Sequence, residues 1–394
     1  MSSDASSESA TSAARFSSEI YSLRLARAAE YAAEAGIAAL LITPGSDLQY
    51  LLGSRASSFE RLICLVIPSD GAEPFIVVPR LELAALKASA VAELALRVLD
   101  WVDGVSPYSL VAGALEHGAT TAVDDAMPAL HFVPIADAVG STPILATAVL
   151  RRLRMQKDDA EIDALRRAGA AIDRVHARMG DFLVVGRTEA DVASDIATAI
   201  LEEGHTEAAF IIVGSGPHGA DPHHEVSDRV IESGDVVVID IGGPVAPGYN
   251  SDSTRTYVMG EPAPDTAAQY AILERAQQAA VDAVRPGATA EAIDAAAREI
   301  LVAEGLGEVF LHRTGHGIGL SVHEEPYIVA GNDIVLEAGM AFSIEPGIYF
   351  RGQWGARIED IVIVTAEGCE PVNLRPHGLA VLPDAGAAVR SAVQ

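Results

Sequence analysis

Apolar positions along the chain alternate between a helical rhythm and short continuous runs. From about Ile20 to Gly36 they recur at helical spacing, and IAALLIT then reads as a buried strand. LICLVIP and PFIVVP are β-branched runs closed by proline and predict two more strands. An Ala/Leu-rich helix is predicted over about Glu82 to Leu94, and further strand–helix alternation continues to about Ile144. This pattern predicts an α/β N-terminal domain over residues 19–150. The adjacent acids Asp124 and Asp125 read as surface residues of a turn. LRRLRMQKDDAEIDALRRAGAAIDRVHARM then predicts a charged amphipathic helix from roughly Leu150 to Met179, broken near Gln156, joining this domain to the second half of the chain.

The remainder, residues 151–394, contains an internal repeat. GRTEADVASDIATAILEEG (Gly186 to Gly204) aligns without gaps to GATAEAIDAAAREILVAEG (Gly287 to Gly305). Each segment opens on Gly-x-Thr, in which Thr188 or Thr289 can cap a helix, and each closes on a glycine. Each is followed by strand-like sequence bearing histidines, which favours a duplicated αβ unit over two unrelated Ala-rich helices.

Composition narrows the functional classes. A formal net charge of -28 over 394 residues disfavours nucleic acid and anionic membrane surfaces as partners. Cys64 and Cys369 lie too far apart in sequence to suggest a disulfide framework or a thiolate zinc site, and they read as reduced thiols. Residues 1–18 read as a disordered Ser-rich tail rather than a signal peptide, and no apolar run spans a bilayer, so a cytoplasmic location is the default. HExxH, GxSxG and P-loop motifs are absent; GSGPHG lacks the βαβ context of a dinucleotide site and reads as the rim of a cleft.

The chemistry concentrates in the second half. VVVIDIGG places Asp240 at the end of an apolar strand, and GYNSDSTRTYVMG places Asp252 on the next. RTGHGIGLSVHEEP sets His316 between glycines, where the backbone can approach a ligand closely. AFSIEPGIYF puts Glu345 within an apolar strand, and ARIEDIVIV puts Glu359 at the head of another. Each residue alone has a bland reading: a cap, a salt-bridge partner, a hydrogen-bonded core histidine, or for Glu359 an ion pair with Arg357. Five acids and imidazoles set together in apolar words would be costly to bury without a counter-charge. Four carboxylates and one imidazole suit two hard divalent ions, Mn²⁺ foremost, with Mg²⁺, Co²⁺ or Zn²⁺ as alternatives.

In their order and surrounding words these motifs resemble the pita-bread metallopeptidases: prolidase, aminopeptidase P and, more distantly, methionine aminopeptidase. The resemblance runs from the linking helix onward, with a weaker match over a creatinase-like N-terminal domain. It implies an α+β C-terminal pita-bread domain with a pseudo-twofold repeat, and hydrolysis of Xaa-Pro bonds at the N-terminus of peptides or in dipeptides. It further implies that Asp252 and Glu359 bridge two ions, that Asp240 chelates one, and that His316 and Glu345 hold the other. Glu345 would also accept the proton of the attacking water. His223, in DPHH, resembles the histidine that contacts the peptide and aids proton transfer, with His224 only its neighbour. His323 resembles the histidine that hydrogen-bonds the scissile carbonyl. His312 resembles a residue beside the proline ring, and Tyr349 and Arg357 resemble groups that orient ligands.

The chain departs from the family in two places. PVAPGYN between the two aspartates is one residue longer than in many relatives, and Tyr327 stands where some prolidases carry a carboxylate-binding arginine. Arg351 or a residue of the N-terminal domain could replace that arginine. Exo-cleavage needs a blocked cleft, so the resemblance also implies a homodimer. Two alternatives remain open on sequence alone: a catalytically silent pita-bread module that binds peptides or proteins, and another exopeptidase or amidinohydrolase of the same fold.

Overall fold

The computed structural model describes residues 15–57 and 60–384. The chain divides into two compact units, the first ending at Arg154 and the second beginning at Met155. The Ser-rich tail lies outside the described residues up to position 14, whereas Ser18 already opens a helix that runs to Glu34. No helix among the described residues is long and apolar enough to cross a membrane.

The first unit is built on a six-stranded mixed sheet. Its strands are β1 (Ala39–Ile42), β2 (Cys64–Pro68), β3 (Phe75–Pro79), β4 (Arg97–Trp101), β5 (Thr121–Val123) and β6 (Ile144–Leu145), in the order β4-β3-β2-β1-β5-β6. Residues of both parities are buried on β1 to β3, Leu40 and Ile76 as fully as Leu41 and Val77. A sheet covered on both faces needs this kind of unbroken apolar run.

Two expectations for this unit need correction. The helix predicted over Glu82 to Leu94 is a 3₁₀ segment, Arg80–Ala88, followed by turns. Only Leu86 within it is buried, while Leu81 and Leu83 face solvent, so no apolar stripe stabilises a longer α-helix. Asp124 is not a surface residue. It is buried, and its Oδ2 accepts from the Thr43 amide at 2.7 Å and the Thr43 hydroxyl at 2.8 Å, tying the end of β1 to the end of β5. Asp125, beside it, is exposed.

The helix predicted from Leu150 to Met179 is two helices, Thr147–Arg154 and Asp159–Ala177. A complete capping box between Asp158 and Glu161 starts the second, and that is why the break falls just after Gln156.

Among the described residues, the second unit carries three sheets. Strands β7 (Phe210–Ser215), β8 (Val236–Val245), β9 (Tyr249–Met259) and the C-terminal β17 (Ala380–Leu382) form one, ordered β17-β9-β8-β7. A second contains β10 (Gly315–Gly317), β11 (Glu324–Ile328), β12 (Ala341–Ile344), β15 (Asp360–Val364) and β16 (Cys369–Pro371), ordered β11-β10-β12-β15-β16. β13 (Gly347–Phe350) and β14 (Trp354–Arg357) pair as a separate hairpin.

The duplicated segments form matching helices, Glu189–Glu202 and Ala290–Ala303, of 14 residues each. Thr188 and Thr289 cap them through side-chain hydrogen bonds to the third helical amide. Each cap residue also makes an isolated β-bridge, to Val230 and Val335 respectively. Gly204 and Gly305 sit in the left-handed region after each helix, at φ 101 and φ 76. The internal repeat is therefore one of local geometry as well as of sequence.

Candidate metal centre and active site

The β8–β9 hairpin is in register with Asp240 opposite Thr254 and Gly242 opposite Asp252. Asp240, Asp252 and Thr254 consequently share one face of the hairpin, because side chains alternate along a strand. Asp240 lies in the middle of β8, not at its end; Glu345 lies just after β12 rather than within a strand, and Glu359 stands at the head of β15. Glu345 follows β12, with its amide bonded to the Thr314 carbonyl at 2.7 Å. Glu359 precedes β15, with its amide bonded to the Thr254 carbonyl at 3.1 Å. The second of these bonds joins the two sheets at Glu359, while the first fixes Glu345 beside β10 within its own sheet.

The glycines flanking His316 serve packing. A Cβ on Gly315 would lie 1.8 Å from the Ser343 carbonyl oxygen, and one on Gly317 would lie 2.3 Å from that of Glu325. They let β10 sit tightly between its neighbours, a correction to the idea that they open the backbone to a ligand. His316 is held there by its amide, which donates to the Ser343 hydroxyl at 2.9 Å. Its Nδ1–H donates to the Gly317 carbonyl at 3.1 Å, which leaves Nε2 facing Glu345 Oε1 at 3.2 Å and Asp252 Oδ2 at 3.6 Å. With Nδ1 so committed, Nε2 is the nitrogen that a metal ion would take.

All five expected ligands line one cavity of about 880 Å³. Asp252, His316 and Glu359 each present a ligand atom within 4.8 Å of the others. Burial, and then the charges of neighbouring carboxylates, push Asp252 and Glu359 well above the usual carboxylate range. Asp240 is raised too, mainly by burial, with Arg357 opposing. Burial would also raise Glu345, but its hydrogen bond to His316 and the cations around it hold it at about 2. Fully ionised, the four carboxylates would carry more negative charge than His316 and Arg357 can balance.

Arg357 organises the floor. Its guanidinium donates to Asp240 Oδ2, to the Thr254 hydroxyl at 3.0 Å and to the Tyr349 hydroxyl at 2.8 Å. Thr254 passes the chain on to Glu359 Oε2 at 2.7 Å. Glu359 thus does not pair with Arg357 directly. Asp240 Oδ1 remains buried without a hydrogen-bond partner. An orphaned carboxylate oxygen, a histidine Nε2 turned inward and mutually repelling acids together fit divalent cations.

The other expected site residues separate by position. His223, His312 and His323 line the cavity with the ligands. His323 and His316 meet edge to face with ring centroids 4.1 Å apart, and burial together with the charge of His316 lowers His323 to about 4. Tyr349 does not line the cavity. Buried behind it, Tyr349 joins Arg357 to His312 Nε2, the latter at 2.8 Å. His224 is more than a neighbour of His223, because it bonds Glu189 at 2.8 Å. The GSGPHG segment does not itself line the cavity; Gly219 packs against the backbone of Gly355, shortly before Pro222 and His223 reach the lining.

Sequence reasoning passed over Arg313. It lines the cavity, with its guanidinium 4.4 Å from the centroid of the Tyr327 ring, whereas Arg351 is exposed and away from the lining. The available signal was Tyr327 itself, standing where an arginine was expected. Phe210, Leu311 and Val322 add an apolar wall.

Comparison with known proteins bears on the whole chain. The family model described as Metallopeptidase family M24 matches residues 163–366, and that of the Creatinase/Prolidase N-terminal domain matches residues 24–156. The probable dipeptidase PepE of Mycobacterium tuberculosis is 67% identical over 370 residues, which is 94% of this chain and 98% of that protein. The Xaa-Pro dipeptidase of Lactobacillus helveticus is 35% identical over 345 residues, 85% and 92% of the two chains. The crystal structure of dipeptidase PepE from Mycobacterium ulcerans is similar with a TM-score of 0.91 at 65% identity, covering 94% of this chain and 100% of that one.

Proposed function

The chain belongs to metallopeptidase family M24, with a creatinase-type N-terminal domain and the pita-bread catalytic fold, and on that premise we propose that it is a two-metal Xaa-Pro dipeptidase. The observation that carries the reading is the convergence of Asp240, Asp252, His316, Glu345 and Glu359 on one cavity, with Asp240 Oδ1 left unpartnered. In this reading Asp240, Asp252, His316, Glu345 and Glu359 would together hold the two ions, with Asp252, His316 and Glu359 nearest one another. The oxygen-rich donor set favours Mn²⁺ over Zn²⁺ or Co²⁺. When bound, the ions supply Lewis acidity, which makes a water nucleophilic near neutral pH and polarises the scissile carbonyl.

The remaining work falls to the chain. Glu345, held ionised by its surroundings, accepts the proton of the attacking water. His323, kept neutral by burial, donates an N–H to the carbonyl oxygen as charge develops there. His223 faces the cavity where the proton can return to the departing proline nitrogen. His312 is fixed by Tyr349 and by the Arg313 carbonyl, so its ring presents one flank to the proline.

Arg313 favours a dipeptide over a longer peptide. A guanidinium stacked on Tyr327 at the cavity wall is placed to pair with a free C-terminal carboxylate. The names of the M. tuberculosis and L. helveticus relatives point the same way. The test compares Mn²⁺-supplemented hydrolysis of Xaa-Pro with that of Xaa-Pro-Yaa and Xaa-Pro-amide. Turnover of the free dipeptide, lost selectively in Arg313→Ala through a raised KM, is the expected result. Turnover of only the longer peptides would make the enzyme an aminopeptidase. No turnover with no metal uptake would leave a peptide-binding module. A homodimer closing the cleft belongs to the same reading, and light scattering tests it.

A further inference from the structure

The first half of the duplicated unit contains a second group of metal-type ligands that peptide hydrolysis does not use. Glu189 opens the helix that Thr188 caps, and its side chain is fully buried. Its Oε1 accepts from the Ser215 amide at 2.9 Å and the Ser215 hydroxyl at 2.6 Å. Its Oε2 accepts from the Ser227 hydroxyl at 2.7 Å. A carboxylate offers about four lone-pair positions, so these three bonds leave one. Two imidazoles converge on what is left: His224 Nε2 lies 2.8 Å from Oε2, and His218 Nδ1 lies 3.1 Å from both oxygens. The His218 and His224 ring centroids are 4.4 Å apart.

We propose that Glu189, His218 and His224 form a zinc-type site, separate from the carboxylate cluster, that fastens the segment carrying His223. One ligand atom from each of the three lies within 4.8 Å of the others. Tetrahedral Zn²⁺ with ligand distances near 2.0–2.1 Å sets its donors about 3.3 Å apart. The separations of 2.8 Å from Oε2 to His224 Nε2 and 3.1 Å to His218 Nδ1 lie a little inside that spacing, so a small outward shift of the two rings would seat the ion. A cation would take the place of two N–H protons crowding one lone pair. Both rings would then be neutral, each with its proton on the outward nitrogen.

The donor set sets the metal class. Two imidazoles and one carboxylate are softer than four carboxylates and one imidazole, so this site selects Zn²⁺ where the catalytic cluster suits Mn²⁺. Arg229, the nearby guanidinium, is occupied by Asp235 at 2.6 Å and by Ser215. The His218 side chain is 37% exposed, which leaves an approach for the ion and for a water as fourth ligand. The site ties two points of the segment between β7 and β8 to the helix start, and His223 lies between them, adjacent to His224. None of this depends on the peptidase reading.

The experiment is a zinc titration of the Mn²⁺-loaded protein and of the His218→Ala/His224→Ala variant, with bound metal counted by mass spectrometry after dialysis. Wild type is expected to retain one more equivalent of zinc than the variant. Zinc-soaked crystals measured at the zinc edge are expected to show an anomalous peak between Glu189, His218 and His224. Equal retention by the two proteins, or a peak confined to the Asp252 cluster, overturns the site. If the double variant does not fold, the His218→Ala protein serves, with zinc affinity expected to fall at least tenfold. Unchanged affinity there overturns the site as well.

Discussion

Glu359 and Asp360 are consecutive acids, each 1% exposed, and the two side chains meet opposite electrostatic fates. Asp360 is enclosed by donors: its Oδ1 pairs with the Arg255 guanidinium at 2.6 Å, and its Oδ2 is hydrogen-bonded by His377. Arg255 spends every remaining N–H on the carbonyls of Thr254, Glu359, Arg375 and Pro376. Glu359 turns to the other side of the backbone, where it finds one hydroxyl and three more acids, and its pKa is driven well up. The alternation of a strand sends neighbouring acids to opposite faces, so one chain segment builds a closed ion-pair network and an open anionic site back to back. The lesson is diagnostic. Burial alone does not point to a metal ligand; burial among like charges, with the nearest cation spent elsewhere, is what supports the proposal that Glu359 is one.

Neutralising each acid should separate the two roles. Glu359→Gln is expected to lower peptidase kcat by roughly 10³-fold or more, about 4 kcal/mol of transition-state stabilisation. Urea unfolding in EDTA should show no loss of stability for this variant, because one of several repelling charges is gone. Asp360→Asn is expected to do the reverse. Leaving Arg255 buried beside an uncharged partner costs about 3–5 kcal/mol of folding stability, while turnover per folded molecule falls far less than in Glu359→Gln. Equal destabilisation of the two variants in EDTA would collapse the contrast.

The contrast also explains what was legible in the sequence. Asp240, Asp252, Glu345 and Glu359 stood out because an acid in an apolar word is costly anywhere in a fold, so the local word suffices. Both the domain with near-continuous apolar strands and the duplicated helices followed from periodicity and caps for the same reason. Asp124 escapes a local reading because its burial depends on Thr43, 81 positions away, and Asp-Asp alone resembles a turn. Glu189 stays hidden because a glutamate at the start of a capped helix is ordinary on the surface; only the return of Ser215, His218, His224 and Ser227 encloses it. Arg313 needed Tyr327 brought to its face. For Tyr349 the resemblance implies a group that orients ligands, and the pairing of β13 with β14 sets it behind the cavity wall, bonded to Arg357 and His312.

Removing metal sharpens the open side of the comparison. An ion that binds only the folded chain adds about 2.7 kcal/mol at a free concentration one hundred times its Kd. Thermal unfolding at that Mn²⁺ concentration should therefore occur well above unfolding in EDTA. The increment should shrink sharply in Glu359→Gln and persist in Asp360→Asn corrected for its lower baseline. A metal increment of the same size in Glu359→Gln as in wild type would remove Glu359 from the ligand set.

The smallest effect belongs to the satisfied side. His176 is 1% exposed behind β9, with Nε2 donating to the Ser253 carbonyl at 3.2 Å and Nδ1 accepting from Tyr257 at 3.0 Å. Both nitrogens are used by the neutral ring, and burial, helped by Arg255, lowers its pKa to about 3. The unfolded chain takes up a proton near pH 6.5 that the folded chain refuses. Stability is therefore full above about pH 7 and declines as pH falls toward 3. Between pH 7.5 and pH 5 this single group should cost about 2 kcal/mol. Chemical denaturation of the metal-free protein across that range measures it, with His176→Gln as the reference that keeps a polar side chain without the titration. The variant should show a shallower decline by that amount, and parallel curves for the two proteins would mean that His176 is protonated in the fold.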